Sequence, residues 1–456
     1  VQATTDPGEP VWAYAVDASG ALADLTVLPG VGSVTRASDR AGTLRLLRWI
    51  EGQIEARARA FEATGANTLT EYRAHSGRPL PRLLLCLDSF EEAEELLPPS
   101  REQDPCAVFT SCAVRGRRLG IHAAVCASRP SRLPSELRSV LKTVFPLRQQ
   151  DAASAGSCGA PDHFGDPSHP PGRTWVDGAE IQLGLLNPGA LSRLTAQAAG
   201  RLLPATVPPS PPARLVLDEL TPAEDGRPTI GVDLETLQPL GIPPTGVLLV
   251  QGRTGSGRTT ALRTLRDALL NSRPGARRLL FTPHRGELST DPGWDQIFEG
   301  VDAVNDGIRA HLLASRSGDI LVVERAADLA ETPAGEVLGQ LLHRYGHGTG
   351  SVLMEISGPE LRGAWALANA VREPGAALLL DPPPGEALGE PGSEAPLERP
   401  VSRRPGVGIL VERGRARHLL VALPGDTASE QLLPGLHPES YRQEGSDHKE
   451  HRPHEL

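Results

Sequence analysis

Lysine is almost missing from this chain. Of 46 lysines and arginines, only Lys142 and Lys449 are lysines, a bias consistent with a GC-rich coding sequence. An excess of positive charge is missing too. The formal net charge of −10 excludes a globally basic nucleic-acid coat, while a local basic track remains compatible with it. Long apolar runs are absent. The longest, such as Gly246–Val250 and Ile320–Val323, fall far short of the roughly 18–20 residues that cross a bilayer. The first residues lack the pattern of a secretory signal. The five cysteines (Cys86, Cys106, Cys112, Cys126, Cys158) have no metal-ligand spacing, and an odd number predicts reduced thiols in the cytosol. Residue 1 is Val rather than Met, so a fragment of a longer protein is expected.

What the chain does have is glycine and proline, 48 and 43 of its 456 residues. Apolar runs recur between their clusters, so the expectation is folded domains joined by long segments rather than wholesale disorder. Those runs come in two sets with one order. The first is Val11–Val16 ending at Asp17, a helical pattern, Leu83–Leu87 ending at Asp88, and His122–Ala127 ending at Ser128. Thr143–Leu147 follows, then Pro171-Gly172-Arg173 leading into Trp175–Gly178 and Ile181–Leu186. The second is Arg278–Phe281, a helical pattern, Ile320–Val323 ending at Glu324, Ser351–Ile356 ending at Ser357, Ala377–Leu380, then Pro405-Gly406 leading into Ile409–Val411 and His418–Leu423. Asp88 and Glu324, Ser128 and Ser357, and Pro171 and Pro405 lie 236, 229 and 234 residues apart. Near-constant offsets in matching order indicate two copies of one domain.

Short apolar runs alternating with amphipathic helices predict an α/β fold with mainly parallel sheets. The clearest helix is Thr43–Thr64, whose Leu44, Leu47, Ile50, Ile54, Ala58 and Phe61 fall on one face and predict packing on a sheet. The expected division is a first copy over 1–203, a Pro-rich linker over 204–226, a second copy over 227–424 and a disordered acidic tail over 425–456. Gln149–Pro171 and Asp381–Pro405 read as equivalent Gly/Pro/Ser-rich loops.

The second copy alone carries a phosphate-loop pattern. The strand Val247–Val250 runs into Gly252, Arg253, Thr254, Gly255, Ser256, Gly257, Arg258, Thr259 and Thr260, and the helical pattern Ala261–Leu270 follows. Glycines let successive backbone N–H groups wrap a phosphate, and the helix N-terminus favours the anion. Thr259 would hold Mg2+ through its hydroxyl. Arg258 stands where the pattern has lysine, keeping the charge but changing its shape. Hydrolysis also needs an acid at the end of a neighbouring strand for Mg2+, commonly followed by a second carboxylate that activates water. Here Glu324 is followed by Arg325, which cannot act as a base, so slow or absent turnover is expected. The first copy has Asp88 followed by Ser89, with Glu91 and Glu92 close by, but it starts beyond the phosphate loop and is expected not to bind nucleotide in the usual way.

Taken together, Leu28-Pro29-Gly30-Val31-Gly32, the Arg-rich helix to Phe61, Leu80–Leu83 into Asp88, Arg118–His122, Ala127–Pro130, Pro171–Arg173 and Ile230–Asp233 resemble the FtsK/SpoIIIE family of P-loop motor ATPases. Within it, the chain is most similar to the tandem ATPases of type VII secretion. The resemblance covers about 11–190 and 227–423. It implies tandem RecA-like P-loop NTPase domains, the first copy truncated at its N-terminus. It also implies ATP and Mg2+ as cofactors, a secreted protein or duplex DNA as substrate, and assembly into rings or stacked tandems with other FtsK-type domains. A membrane segment would lie outside this chain, placing it in the cytoplasm at the inner face of the membrane. By position, Ser128 and Ser357 match the family's polar sensor; Arg129 would act on a neighbouring domain's nucleotide or pair with a local carboxylate. The site expected from pattern and resemblance is thus the loop 252–260, with Glu324, Asp88, Arg129 and Ser357 as catalytic candidates and Thr259 with Glu324 as metal ligands. The alternatives are a non-catalytic, nucleotide-regulated scaffold and a DNA-binding double-stranded DNA translocase, the latter ranked third because the chain is acidic and shows no winged-helix module. His448, His451 and His454 in the tail read as incidental, and Cys106 and Cys112, in a loop-like stretch, as ordinary free thiols.

Overall fold

Most runs of both sets become strands of two mainly parallel sheets, but the two sheets differ in completeness. The computed structural model describes residues 10–100, 103–184, 188–198, 204–314, 318–346, 348, 350–356, 375–381 and 405–425. In the first copy, β1 (Val11–Asp17), β2 (Val31–Arg36), α1 (Arg40–Thr64), α2 (Leu69–Ser76), β3 (Arg82–Asp88), α3 (Phe90–Leu96), α4 (Pro105–Gly116) and β4 (Ile121–Val125) follow one another. The four strands form one parallel sheet in the order β2-β1-β3-β4. Then come α5 (Ser135–Val140), α6 (Ala152–Ser157), β5 (Arg173–Val176), β6 (Ala179–Gln182) and α7 (Pro188–Ala198).

The second copy comprises β7 (Thr229–Asp233), β8 (Pro239–Gly241), β9 (Gly246–Gly252), α8 (Arg258–Ser272), β10 (Arg278–Thr282), β11 (Gln296–Glu299), α9 (Val301–Leu313) and β12 (Ile320–Val323). It continues with α10 (Ala326–Leu329), α11 (Pro333–Gly346), β13 (Ser351–Ile356), β14 (Ala376–Leu380), β15 (Val407–Glu412) and β16 (Arg415–Val421). They build a ten-stranded sheet ordered β11-β10-β12-β13-β9-β14-β15-β16-β7-β8. The run from β11 to β14 is parallel, and the remaining pairings are antiparallel. Thus β2-β1-β3-β4 repeats β11-β10-β12-β13, and among the described residues β4 has no partner equivalent to β9.

Backbone detail supports the repeat. Ser89 and Arg325, each just after the acidic strand end, share a left-handed φ of 56° and 53°. Asp177-Gly178 and Arg413-Gly414 both turn their hairpins with two positive φ values (50° and 83°, 50° and 72°), as a two-residue type I′ turn requires.

Several expectations need correction. Thr143–Leu147 is not a strand. Its counterpart β14 is held by β9, so without a β9 equivalent it has no ladder to join, and Val144, Phe145 and Leu147 are exposed. For the same reason β5 and β6 form a separate two-stranded sheet instead of extending the main one as β15 and β16 do. Helix α1 begins at Arg40, where Asp39 accepts from Gly42 N–H as an N-cap. Its buried line turns at Arg57 rather than Ala58, which is exposed; the Arg57 guanidinium donates to the carbonyls of Leu119 (2.9 Å) and Pro81 (2.7 Å). Gln149–Pro171 contains α6 and a 3-10 turn, Asp162–Gly165, rather than an open loop. Cys106 and Cys112 lie in α4, both buried, and desolvation pushes each thiol up to about 12. The tail from 426 and most of Asp381–Pro405 lie outside the described residues.

The segment 204–226 runs along both copies. Ala205 N–H donates to Pro29 O and Thr206 O accepts from the Tyr14 hydroxyl (2.8 and 2.9 Å). Further on, Leu217 is buried in the second core and its N–H donates to Leu423 O at 2.9 Å. The copies also touch directly. Arg48 pairs with Glu235 at 3.3 Å, Arg45 donates to Leu234 O, and Ala41 packs with Val232 and Leu234. No helix among the described residues is long and apolar enough to cross a membrane.

Candidate nucleotide site

The C-terminal ends of β9 and β12 bring the described candidate residues of the second copy to one edge of the sheet, beside the end of β13. Strand β9 ends in Gly252, where a Cβ would lie 2.3 Å from Ser256 Oγ and 2.7 Å from Leu380 O; only glycine fits. The loop then turns through Gly255 and Gly257 at φ 81° and 93°, a left-handed conformation that side chains resist. Gly257 is the N-cap of α8 and supplies no side-chain cap. The first N–H groups of this 15-residue helix are therefore left for an anion. Ser256 Oγ is buried without a hydrogen-bond partner. An uncapped helix start beside an orphaned hydroxyl suits a phosphate. Arg253 and Thr254 are exposed, and Thr259 and Thr260 are half-buried in the first turn of α8.

Arg258 does not extend into solvent. Its guanidinium pairs with Glu355 Oε1 at 2.8 Å, with the two side chains 15% and 6% exposed. Glu355 sits on β13, paired in register with Val250 of β9, which places its carboxylate under the start of α8. Glu324, directly after β12, is buried and accepts from Thr282 Oγ1 at 3.0 Å. Burial raises its pKa above the usual carboxylate value, and the nearby negative charge of Glu355 adds to this, outweighing the Thr282 bond and Arg325. Arg325 turns away, its guanidinium pairing with Asp328 Oδ2 at 2.7 Å. The site therefore holds two buried acids, one arginine bound to one of them, and no carboxylate at position 325.

The first-copy candidates do not join it. Asp88 ends β3 and accepts from the Ser19 hydroxyl and backbone N–H. Ser128 donates to Glu91 Oε1 from N–H (2.9 Å) and Oγ (2.7 Å). Arg129 donates to Gln150 Oε1 at 2.6 Å, a contact within its own copy. Ser357 lies outside the described residues. Sequence reasoning missed Glu355 and Thr282. Glu355 left one visible signal, a single charge inside the apolar run Ser-Val-Leu-Met-Glu-Ile; Thr282, a small hydroxyl closing β10, left none.

Comparison with known proteins follows the same lines. No protein-family profile matches the chain. The ESX-4 secretion system protein EccC4 of Mycobacterium tuberculosis is 25% identical over 454 residues, covering 90% of this chain and 35% of that protein. The EccC proteins of Thermomonospora curvata and Geobacillus thermodenitrificans are 26% and 25% identical over 305 and 291 residues, covering 60% and 59% of this chain. The chain spans only 22% and 19% of those two relatives. Among solved structures, ATPases 2 and 3 of Thermomonospora curvata EccC, determined with a signal sequence peptide, superpose with a TM-score of 0.69 at 21% identity. The match covers 92% of this chain and 83% of that one. The cytoplasmic domain of the same protein gives 0.66 at 20% identity over 92% of this chain and 54% of that one. The tandem α/β fold of those domains is thereby shared.

Proposed function

We propose that this EccC-like chain, a tandem of FtsK/SpoIIIE-type domains, is a segment of a type VII secretion motor ATPase whose second copy binds ATP with Mg2+. The units are the first copy (1–203) and the second (227–424), joined by 204–226. The observation that carries the reading is the uncapped start of α8 behind Gly252, Gly255 and Gly257, with Ser256 Oγ unpartnered beside it. In that role the backbone N–H groups of the loop and first turn bind phosphate oxygens, and Arg258 supplies the positive charge. Thr259 and Glu324 are the residues that would hold Mg2+, which when bound neutralises phosphate charge. Thr282 orients the Glu324 carboxylate by donating to it.

The same geometry supports weak turnover. Position 325 carries a cation engaged by Asp328, so no second carboxylate follows Glu324 to take a proton from water. Arg258 must also leave Glu355 to reach a phosphate. That pair favours a second reading, a nucleotide-regulated scaffold, in which binding rather than hydrolysis sets the state of the second copy. A signal sequence peptide occupies the structurally similar EccC domains, and a secreted protein is accordingly the proposed substrate class here.

Equilibrium ATP binding and steady-state hydrolysis, measured on the chain and on the double variant Arg258→Lys/Arg325→Asp, test the proposal. Binding by the parent with little turnover, and faster turnover in the variant, is expected. Absence of binding in both proteins would sink the nucleotide site. Salt-dependent retention of duplex DNA would instead favour DNA as the substrate.

A further inference from the structure

The hairpin module of the first copy carries a side-chain cluster that the nucleotide reading does not use. His163 lies in the 3-10 turn Asp162–Gly165, His169 closes the turn that follows, and Glu180 sits on β6. One donor atom from each lies within 4.8 Å of those of the other two. We propose that His163, His169 and Glu180 form a Zn2+ site that fastens the β5–β6 hairpin to the preceding turn.

Three observations support it independently of the spacing. His169 is only 6% exposed, yet its Nε2 is buried with no hydrogen-bond partner. A buried imidazole nitrogen normally finds a donor or acceptor, and a metal ion would satisfy it. The Phe164 ring, 4.1 Å from the His169 ring between centroids, holds it in place. His163 and Glu180 are exposed, so small side-chain rotations can close the remaining distance to the separation of about 3.4 Å that tetrahedral bonds of about 2.1 Å demand.

The second is the carboxylate's arrangement. Arg173 donates from Nη1 to Glu180 Oε1 at 2.7 Å, while Oε2 lies 3.5 Å from His163 Nε2. One oxygen is thus fixed by an outer partner and the other faces His163, the division of labour by which outer hydrogen bonds orient metal ligands. The third is the size of the core here. Ala155, Ala160 and Phe164, with Trp175 against them, are the whole apolar cluster of this module among the described residues. So small a core gains from a metal staple. Two imidazoles and a carboxylate suit Zn2+, with solvent completing the shell. The site belongs to the first copy alone, since 381–405 of the second contains neither histidine nor cysteine.

The test strips the full chain with a chelator, titrates Zn2+, and reads bound metal per chain together with the rate of protease cleavage within 149–184. One retained Zn2+ and slower cleavage are expected. Affinity should fall about tenfold or more in His163→Ala and in Glu180→Gln, both exposed positions whose replacement leaves the fold in place, and stay unchanged in His448→Ala/His451→Ala/His454→Ala. The proposal is overturned if no Zn2+ is retained, if both module variants bind as the parent does, or if binding follows the tail histidines.

Discussion

The two sheets differ in how many of their faces are covered, and the difference traces to one strand–loop–helix unit. In the second copy α8 packs on one face, against Leu248, Leu280, Val322 and Leu353. The other face carries α9 and α11, against Leu279, Phe281, Leu321 and Met354. Strands β12 and β13 are consequently buried at every residue, the pattern of a parallel sheet with helices on both sides. In the first copy α1 and α4 cover one face, reaching Leu83, Leu85 and Leu87. The opposite face, Leu84 and Cys86 of β3 with His122 and Ala124 of β4, grows more exposed toward the unpaired edge of β4. A groove of about 1090 Å³ lies along it. The glycine-loop unit therefore supplies the strand and helix that complete the sheet, and in the proposed function it also offers backbone N–H groups to an anion.

That comparison can be broken most directly by truncating matched strands. Ile320→Ala, in the doubly covered β12, should cost about 2–5 kcal/mol, whereas Leu84→Ala on the matching, half-covered β3 should cost about 1 kcal/mol or less. Urea unfolding combined with local hydrogen exchange would measure both, and equal losses would contradict the half-covered sheet. Next in size is the ion pair. Glu355→Gln leaves Arg258 without its partner, so the ATP-free second copy should lose roughly 1–3 kcal/mol. Added ATP should then raise the melting temperature more in the variant than in the parent, because phosphate supplies the missing negative charge. An identical ATP-induced shift would mean that Arg258 never reaches the phosphates.

A smaller effect concerns Glu324. Its pKa in the folded chain lies above the unfolded value, with burial as the main cause. Its ionisation therefore opposes folding above the raised pKa, and the penalty fades as pH falls toward the unfolded value. Glu324→Gln should stabilise the chain by about 0.5–2 kcal/mol at neutral pH, with the gain shrinking under acid, and should weaken Mg2+-dependent ATP binding. Denaturation at pH 7 and pH 4 checks the sign. Last, thiol labelling should distinguish the open face from the covered one. Cys126 is exposed, Cys86 is half-buried with its thiol pushed up to about 11, and Cys112 is buried at about 12. Labelling in that order, read by mass spectrometry, is expected; fast modification of Cys112 would contradict the packing of α4.

Much of the architecture was legible because period and order are local properties. The runs at Val11, Leu83, Ile320 and Ser351 became strands within a residue or two of their expected ends, and the phosphate-loop pattern landed between β9 and α8 as drawn. The strand expected at Thr143–Leu147 failed because a strand is not a local property: it needs a neighbour, and β9 has no counterpart there. Arg57 in place of Ala58 escaped notice because a buried arginine is stable only where distant carbonyls, here of Leu119 and Pro81, await it.

By itself the sequence determined the repeat, the mainly parallel α/β class, the position of the glycine-rich loop between β9 and α8, and the cation after Glu324. All of these reside in residue identity and spacing along the chain. Only the tertiary structure decided that Arg258 is held by Glu355, that Glu324 is buried against Thr282, and that one face of the first sheet opens toward β4. Each depends on which strands lie side by side, and a parallel sheet brings together residues tens of positions apart, where no local pattern records their meeting.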